Sequence, residues 1–192
     1  MALPFWRAVF WASYLTWAAF ELWVASRDRR AAKGDRQDRG SLFFLVAMIV
    51  TGIFTMFSAP AYVPRLHIVQ PGPALFIVAL MLIWGGIVFR LWAIRTLGHF
   101  FRTTVLLHDG HRLVSDGPYR LLRHPAYAGS LITIVGFGLF LNNWVSLLGA
   151  LGFILIGYGY RIEVEEKALG ARFGEAFRAQ RARSWALIPY VW

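Results

Sequence analysis

Apolar residues dominate five stretches of this chain, and the polar segments between them differ sharply in charge. The first stretch runs from Leu3 to Ala25, the second from Leu42 to Val63 and the third from Pro73 to Ile94. The fourth and fifth, Tyr127–Leu141 and Trp144–Tyr160, form a hairpin around Asn142-Asn143. A run of roughly 17–22 apolar residues is what a helix needs to cross ~30 Å of hydrocarbon. The pattern therefore predicts five transmembrane helices, the fourth being the shortest. The expected fold class is all-α, a polytopic membrane helical bundle. Gly136, Gly138, Gly149, Gly152, Gly157 and Gly159 thread the hairpin. In lipid, association rests on close packing, so these small residues predict tightly approaching helices.

Beyond the fifth stretch the pattern changes. From Arg161 to Arg183 the apolar residues Ile162, Leu169, Phe173 and Phe177 alternate with Arg172, Arg178, Arg181 and Arg183. This predicts an amphipathic helix that leaves the membrane and lies on its surface. Trp185 to Trp192, with Pro189, is expected to settle at the interface. Asp109-Gly110 and Asp116-Gly117-Pro118 are turn signals in the long polar connection from Gly98 to Arg123.

Charge then orients the chain. Arg27–Arg39 carries six basic residues, Arg95–Arg123 five, and the tail from Arg161 onward six. The Ser58–Gly72 connection has Arg65 alone, and the Asn142-Asn143 turn has none. Basic segments fall at every second crossing, which puts the N-terminus outside and the C-terminus in the cytoplasm. The first stretch carries Glu21 and lacks a small-x-small cleavage site, so a retained span is expected there. Arg7, Glu21 and Arg90 lie near span ends and read as snorkelling groups.

Composition supports a multi-pass membrane protein: 58% of the 192 residues are hydrophobic, with nine Trp and seven Tyr for interfacial anchoring. The net charge of +10 would suggest nucleic acid in a soluble protein. Beside anionic headgroups the basic loops account for it, so membrane lipids, and no nucleic acid, are the expected partners. Cysteine is absent, which excludes disulfides, thiolate nucleophiles and Cys-based zinc sites. His108 and His111 sit in a turn-rich loop, His67 and His99 are isolated, and no metal is expected.

The segments that carry chemistry flank the hairpin. Asp116-Gly117-Pro118-Tyr119 and Arg123-His124-Pro125-Ala126-Tyr127-Ala128-Gly129 precede it, and Arg161-Ile162-Glu163-Val164-Glu165-Glu166 follows it. Two crossings bring both to one membrane face, where a cationic cluster with an imidazole meets an acidic one. Such charge at a lipid boundary is costly and generally functional. Pro125 suits the first helical turn, which places Tyr127 within it. Arg161 and Glu165 share one helix face at i, i+4. A belt of salt bridges and snorkelling arginines would also fit this spacing.

These blocks resemble the signature of the isoprenylcysteine carboxyl methyltransferase family, part of a wider group that includes membrane phospholipid methyltransferases. The likeness begins at Leu113-Val114-Ser115-Asp116 and continues through Arg161, Glu165-Glu166, Leu169 and Phe173-Gly174 to Pro189, with the surrounding stretch from Leu97 making up about half of the chain. The family is often richer in acid where Val164 interrupts this run. Residues 1–94 are expected as three N-terminal spans, which match the family only as hydrophobic segments, and the resemblance implies 95–192 as a methyltransferase-like core. It implies S-adenosylmethionine bound at the cytoplasmic face by Tyr119, His124, Pro125, Tyr127, Gly129, Glu165 and Glu166. The methyl acceptor would be lipophilic and enter from the bilayer. An acceptor carboxylate needs a cationic clamp and no general base, and Arg161 and Arg123 are the catalytic candidates for that role. A phospholipid amine acceptor would need a proton acceptor instead. A sterol-reductase-like enzyme using NADPH shares a His-Pro-x-Tyr-x-Gly-like element, and a non-enzymatic membrane scaffold would explain the basic tail.

Overall fold

The computed structural model describes residues 2–29, 35–36, 40–98, 106–107 and 113–192. Its helices are α1 (Ala2–Arg29), α2 (Ser41–Tyr62), α3 (Pro73–Leu97), α4 (Pro125–Phe140), α5 (Trp144–Phe173) and α6 (Glu175–Arg181). A 3-10 turn spans Gly117–Arg120, and two-residue strands Asp35–Arg36 and Leu106–Leu107 pair antiparallel. His99, His108 and His111 lie outside the described residues.

Local chemistry sets the ends of these helices. Pro73 and Pro125 occupy first-turn positions, where a missing N–H costs nothing. Asn143 caps α5, its side chain accepting from the amides of Val145 and Ser146 at 3.0 and 3.1 Å. Gly98 and Gly174 stop α3 and α5 at φ 58° and 51°, a region that favours glycine. Asn142 does more than turn the chain. Its side-chain oxygen accepts from Ile68 and Val69 amides, each at 3.1 Å, so it ties the α2–α3 connection to the hairpin tip.

Helices α1, α2, α3 and α5 are long and apolar enough to cross a membrane. Large apolar side chains such as Phe43, Phe54, Leu22 and Val88 face outward, as lipid contact requires. The chain is an integral membrane protein. The fourth expected span is the exception: α4 has 16 residues, about 24 Å at ~1.5 Å per residue. Most of α4 is buried between its neighbours, so it does not have to meet lipid along its whole length.

Two helix pairs carry the packing, α3 with α4 and α2 with α5. A Cβ added at Gly129 would lie 2.7 Å from the Arg90 amide nitrogen, and one at Gly136 would lie 2.7 Å from the Ala79 carbonyl. Glycine is what lets α4 sit this close to α3. The expectation of a hairpin threaded by interface glycines needs two corrections: among the described residues Gly152 has nothing within 4 Å of its Cβ position, and Gly159 meets only the Trp192 ring, at 3.9 Å.

The tail also departs from expectation. Instead of a separate surface helix from Arg161 to Arg183, α5 continues unbroken to Phe173, and α6 follows after Gly174. Phe177 turns inward and is buried. The segment after Ser184 does not merely rest at the interface. Ala186 and Leu187 are buried in the main core, and the backbone there pairs with residues 121–124.

Candidate active site

The approach to α4 is built as a backbone brace. Tyr119 donates its amide to the Asp116 carbonyl at 3.0 Å, and its ring packs with Ala93, Val114 and Ala126. Residues 121–124 then run parallel to Trp185-Ala186. The Trp185 amide donates to Leu121 O at 3.0 Å, Arg123 N to Trp185 O at 2.8 Å and His124 N to Ala186 O at 3.0 Å. The His124 carbonyl accepts the first amides of α4, from Tyr127 and Ala128. Arg123 and His124 thus leave a rigid backbone with their side chains aimed at α5.

On α5, Glu165 and Glu166 meet them. His124 Nδ1 lies 3.3 Å from Glu165 Oε2, and its Nε2 lies 3.3 Å from Glu166 Oε1. An imidazole flanked by two carboxylates can donate to both only when protonated. Burial alone would lower its pKa, but the hydrogen bonds and charges of Glu165 and Glu166 outweigh that and raise it. Arg123 Nε donates to Glu166 Oε1 at 2.7 Å, and its Nη1 reaches the Ser184 carbonyl. Arg161, wholly buried, donates from Nε to Glu165 Oε1 at 2.8 Å and from Nη1 to Ser41 Oγ at 2.7 Å. The Tyr127 hydroxyl donates to the same Glu165 oxygen at 2.6 Å. Its ring lies between His124 and Tyr158, with centroids 5.7 and 4.5 Å away.

The structure therefore brings Arg123, His124, Tyr127, Arg161, Glu165 and Glu166 into one network. Tyr119 stands behind it in a small apolar cluster, where burial raises its hydroxyl pKa. Pro125 is fully buried at the start of α4. Gly129 faces α3 and serves helix packing.

Several neighbours escaped the sequence reading. Ser41 holds Arg161 from α2, and the backbone of residues 184–186 braces the motif loop. The snorkelling reading of Glu21 and Arg90 is corrected: Arg90 is 8% exposed and donates from Nη2 to Glu21 Oε2 at 2.8 Å. Arg90 has a carboxylate within reach on α1, so it need not stretch toward water. Arg7 is exposed. A polar residue opposite another on neighbouring spans was the available signal, but spacing along one helix does not reveal which helices adjoin.

Comparison with known proteins bears on this site. A probable protein-S-isoprenylcysteine O-methyltransferase from Oryza sativa subsp. indica is 32% identical over 116 residues, covering 59% of this chain and 61% of the relative. Protein-S-isoprenylcysteine O-methyltransferase B of Arabidopsis thaliana is 32% identical over 108 residues, 55% of each chain. The chain thus spans about 61% or less of the length of these two relatives. The solved structure of the eukaryotic intramembrane Ras methyltransferase ICMT shares the fold, with a TM-score of 0.61 and 24% identity over 76% of this chain and 52% of that one. The family model for isoprenylcysteine carboxyl methyltransferases matches residues 76–171, from α3 through the network to the far end of α5. The chain belongs to the isoprenylcysteine carboxyl methyltransferase (ICMT) family.

Proposed function

We propose that this protein is a membrane methyltransferase that moves a methyl group from S-adenosylmethionine to a carboxylate at the end of a lipophilic molecule. The observation that carries the reading is the His124 imidazole held between Glu165 and Glu166, with Tyr127 alongside, where the α4–α5 hairpin begins and ends. The relatives named for isoprenylcysteine O-methylation support a prenylated cysteine as the acceptor class.

The donor set fits the cofactor. That molecule presents a ribose diol, an ammonium and a carboxylate, and the chain offers two carboxylates and an imidazole. Glu165 and Glu166 would accept from the diol or ammonium, while His124 would face the carboxylate. Tyr119 and Tyr127 supply ring and hydroxyl, and Pro125 and Gly129 set the path of α4 behind them. Trp185 Nε1, beside the same brace, is a buried donor without a partner among the described residues, which is spare hydrogen-bonding capacity. When bound, the cofactor supplies an electrophilic methyl group.

The chain's own work is then orientation, charge and exclusion of water. Arg161 and Arg123 hold the two carboxylates and place positive charge where an acceptor carboxylate would arrive. A carboxylate needs no proton removed, and His124, with both ring nitrogens facing carboxylates, is poorly placed to act as the base an amine acceptor would demand. The basic-loop rhythm supports an N-terminus outside, with the C-terminus and site facing the cytoplasm. That orientation gives a polar cofactor access from water and a lipid acceptor access from the bilayer. Residues 95–192 would carry the chemistry, supported by the three helices before them.

The test is a calorimetric titration of S-adenosylhomocysteine into detergent-purified protein, with Glu166→Ala beside it. Binding by the native chain and its loss in the variant are expected. A folded native chain that binds no S-adenosylhomocysteine overturns the reading.

A further inference from the structure

Beyond the backbone brace the chain closes on itself and turns an apolar surface outward. Ile188, Tyr190, Val191 and Trp192 are all exposed, Tyr190 to 90% and Val191 to 78%. A contiguous apolar patch of this kind marks a surface that meets a partner or a membrane. The patch is one piece. The amides of Leu187 and Ile188 donate to the Trp192 carbonyl at 2.9 and 3.0 Å, and the Trp192 amide donates back to Ile188 O at 3.0 Å. The Tyr190 ring meets Trp185 edge to face, with centroids 5.1 Å apart.

Its depth follows from α5. The Trp192 ring lies 3.9 Å from the Cβ position of Gly159, in the last turn of the apolar stretch that ends at Tyr160. Tyr160 is itself exposed and meets Phe44, in the first turn of α2, with centroids 5.4 Å apart. Aromatic rings at one level on neighbouring spans mark the boundary between hydrocarbon and headgroups. Residues 188–192 join that belt, so their outward side chains face the interface. Basic residues flank them. Arg120 precedes Leu121, whose carbonyl accepts the Trp185 amide, and Arg181 and Arg183 lead into Ser184. All three are exposed. Arg183 Nε donates only to the Ala179 carbonyl at 3.3 Å, and among the described residues neither Arg120 nor Arg183 is paired with a carboxylate. An apolar wedge flanked by arginines suits a leaflet with anionic headgroups.

We propose that residues 188–192, with Arg120, Arg181 and Arg183, dock on anionic lipid headgroups at the membrane face that carries the site, and that this contact tightens the cofactor site through the brace. The coupling rests on the methyl-transfer reading, whereas the docking does not. The route is short. Trp185, against which Tyr190 packs, and Ala186 accept the amides of Arg123 and His124, and the Ser184 carbonyl accepts from Arg123 Nη1. Anchoring 188–192 in the leaflet therefore fixes the loop that presents Arg123 and His124 to Glu166 and Glu165. Without that anchor, the brace is held by its own backbone bonds alone.

The test uses the full chain in lipid nanodiscs of phosphatidylcholine, alone or with about one third phosphatidylserine. The chain has no cysteine, so Val191→Cys and Glu175→Cys each accept a single nitroxide label, Glu175 being exposed on α6. Relaxation by oxygen and by a water-soluble nickel chelate reads the depth of each label. The label at 191 is expected at headgroup level and the label at 175 in water. Calorimetry then follows S-adenosylhomocysteine, which carries no net charge and is not concentrated by the field of the leaflet. Phosphatidylserine is expected to tighten its binding about fivefold, the low end of coupling between two sites, and high salt should erase the gain. In Arg120→Gln/Arg183→Gln the affinity in phosphatidylcholine stays that of the native chain, and most of the gain from phosphatidylserine is lost. A label at 191 as open to water as the one at 175 overturns the docking. No gain in the native chain, or the full gain persisting in the double variant, overturns the coupling. If the native chain binds no S-adenosylhomocysteine in either disc, the methyl-transfer reading fails, and the label depths still decide the docking surface.

Discussion

The Arg161 guanidinium donates to Ser41 Oγ at 2.7 Å, so a serine in the first turn of α2 fixes the arginine that holds Glu165. Both residues are fully buried, and they join helices that are 120 positions apart in the chain. The α2–α5 contact therefore does more than bury apolar surface, because it sets the direction of a carboxylate in the site. Ser41→Ala should leave the Arg161 bond unmade inside the bundle, costing about 1–3 kcal/mol. Thermal unfolding in detergent reads that loss. Calorimetry should show weaker S-adenosylhomocysteine binding in the same variant, because Glu165 loses a supported neighbour. Unchanged unfolding would mean that Arg161 finds an equivalent partner.

Tyr127 allows ring and hydroxyl to be separated. Tyr127→Phe keeps the stack on Tyr158 and removes the 2.6 Å bond to Glu165. We expect a stability loss of about 1 kcal/mol, as for one hydrogen bond, and a several-fold loss of S-adenosylhomocysteine affinity. Tyr127→Ala removes the stack as well, and the loss of a half-buried aromatic should cost more than the hydroxyl alone, about 2–3 kcal/mol. Equal behaviour of the two variants in calorimetry and unfolding would assign everything to the hydroxyl.

Two glycines of the hairpin make opposite predictions. A Cβ at Gly136 would sit 2.7 Å from the Ala79 carbonyl and the Ile83 amide nitrogen, with no flexible side-chain end to yield on the backbone side. Gly136→Ala should force α4 away from α3 and cost about 1–3 kcal/mol. At Gly152 nothing lies within 4 Å of the added carbon. Gly152→Ala should be neutral or raise stability by up to about 1 kcal/mol through helix propensity. Unfolding temperatures measured side by side in one detergent decide both.

Some of this architecture was legible before any coordinates, and the reasons are physical. Lipid dictates the length of a spanning helix, and headgroup charge marks alternate loops, so helix order followed from Leu42–Val63, Pro73–Ile94 and the hairpin. The meeting of His124 with Glu165 and Glu166 followed from a hairpin that returns to its starting face. What stayed hidden depended on which helices adjoin. Glu21 and Arg90 are 69 positions apart, and each alone looks like a residue near a span end. Trp185 and Ala186 offer no periodic pattern, since they act through backbone groups that every residue carries. The shortness of α4 was visible in the sequence, but its burial was hidden because it depends on α3 and α5 packing around it.

The pH response follows from His124. Its ordinary pKa of about 6.5 is raised in the folded protein: burial opposes the charged form, but Glu165 and Glu166 bond to it and prevail. A proton bound more tightly in the folded than in the unfolded chain stabilises the fold. That contribution is complete below about 6.5, where even the unfolded imidazole is charged, and it is lost as pH climbs through the raised folded value. The native chain should therefore unfold at progressively lower temperature on going from mildly acidic to alkaline buffer. His124→Gln keeps a polar group at the position but does not titrate, so its unfolding temperature should lack this component of the pH dependence. Parallel pH profiles for the two proteins test the assignment, and identical slopes above neutrality would show that another group carries the effect. The two carboxylates must also lose their shared cation as His124 gives up its proton. S-adenosylhomocysteine affinity in the native chain should then change over the same interval in which stability falls, while His124→Gln shows no such step.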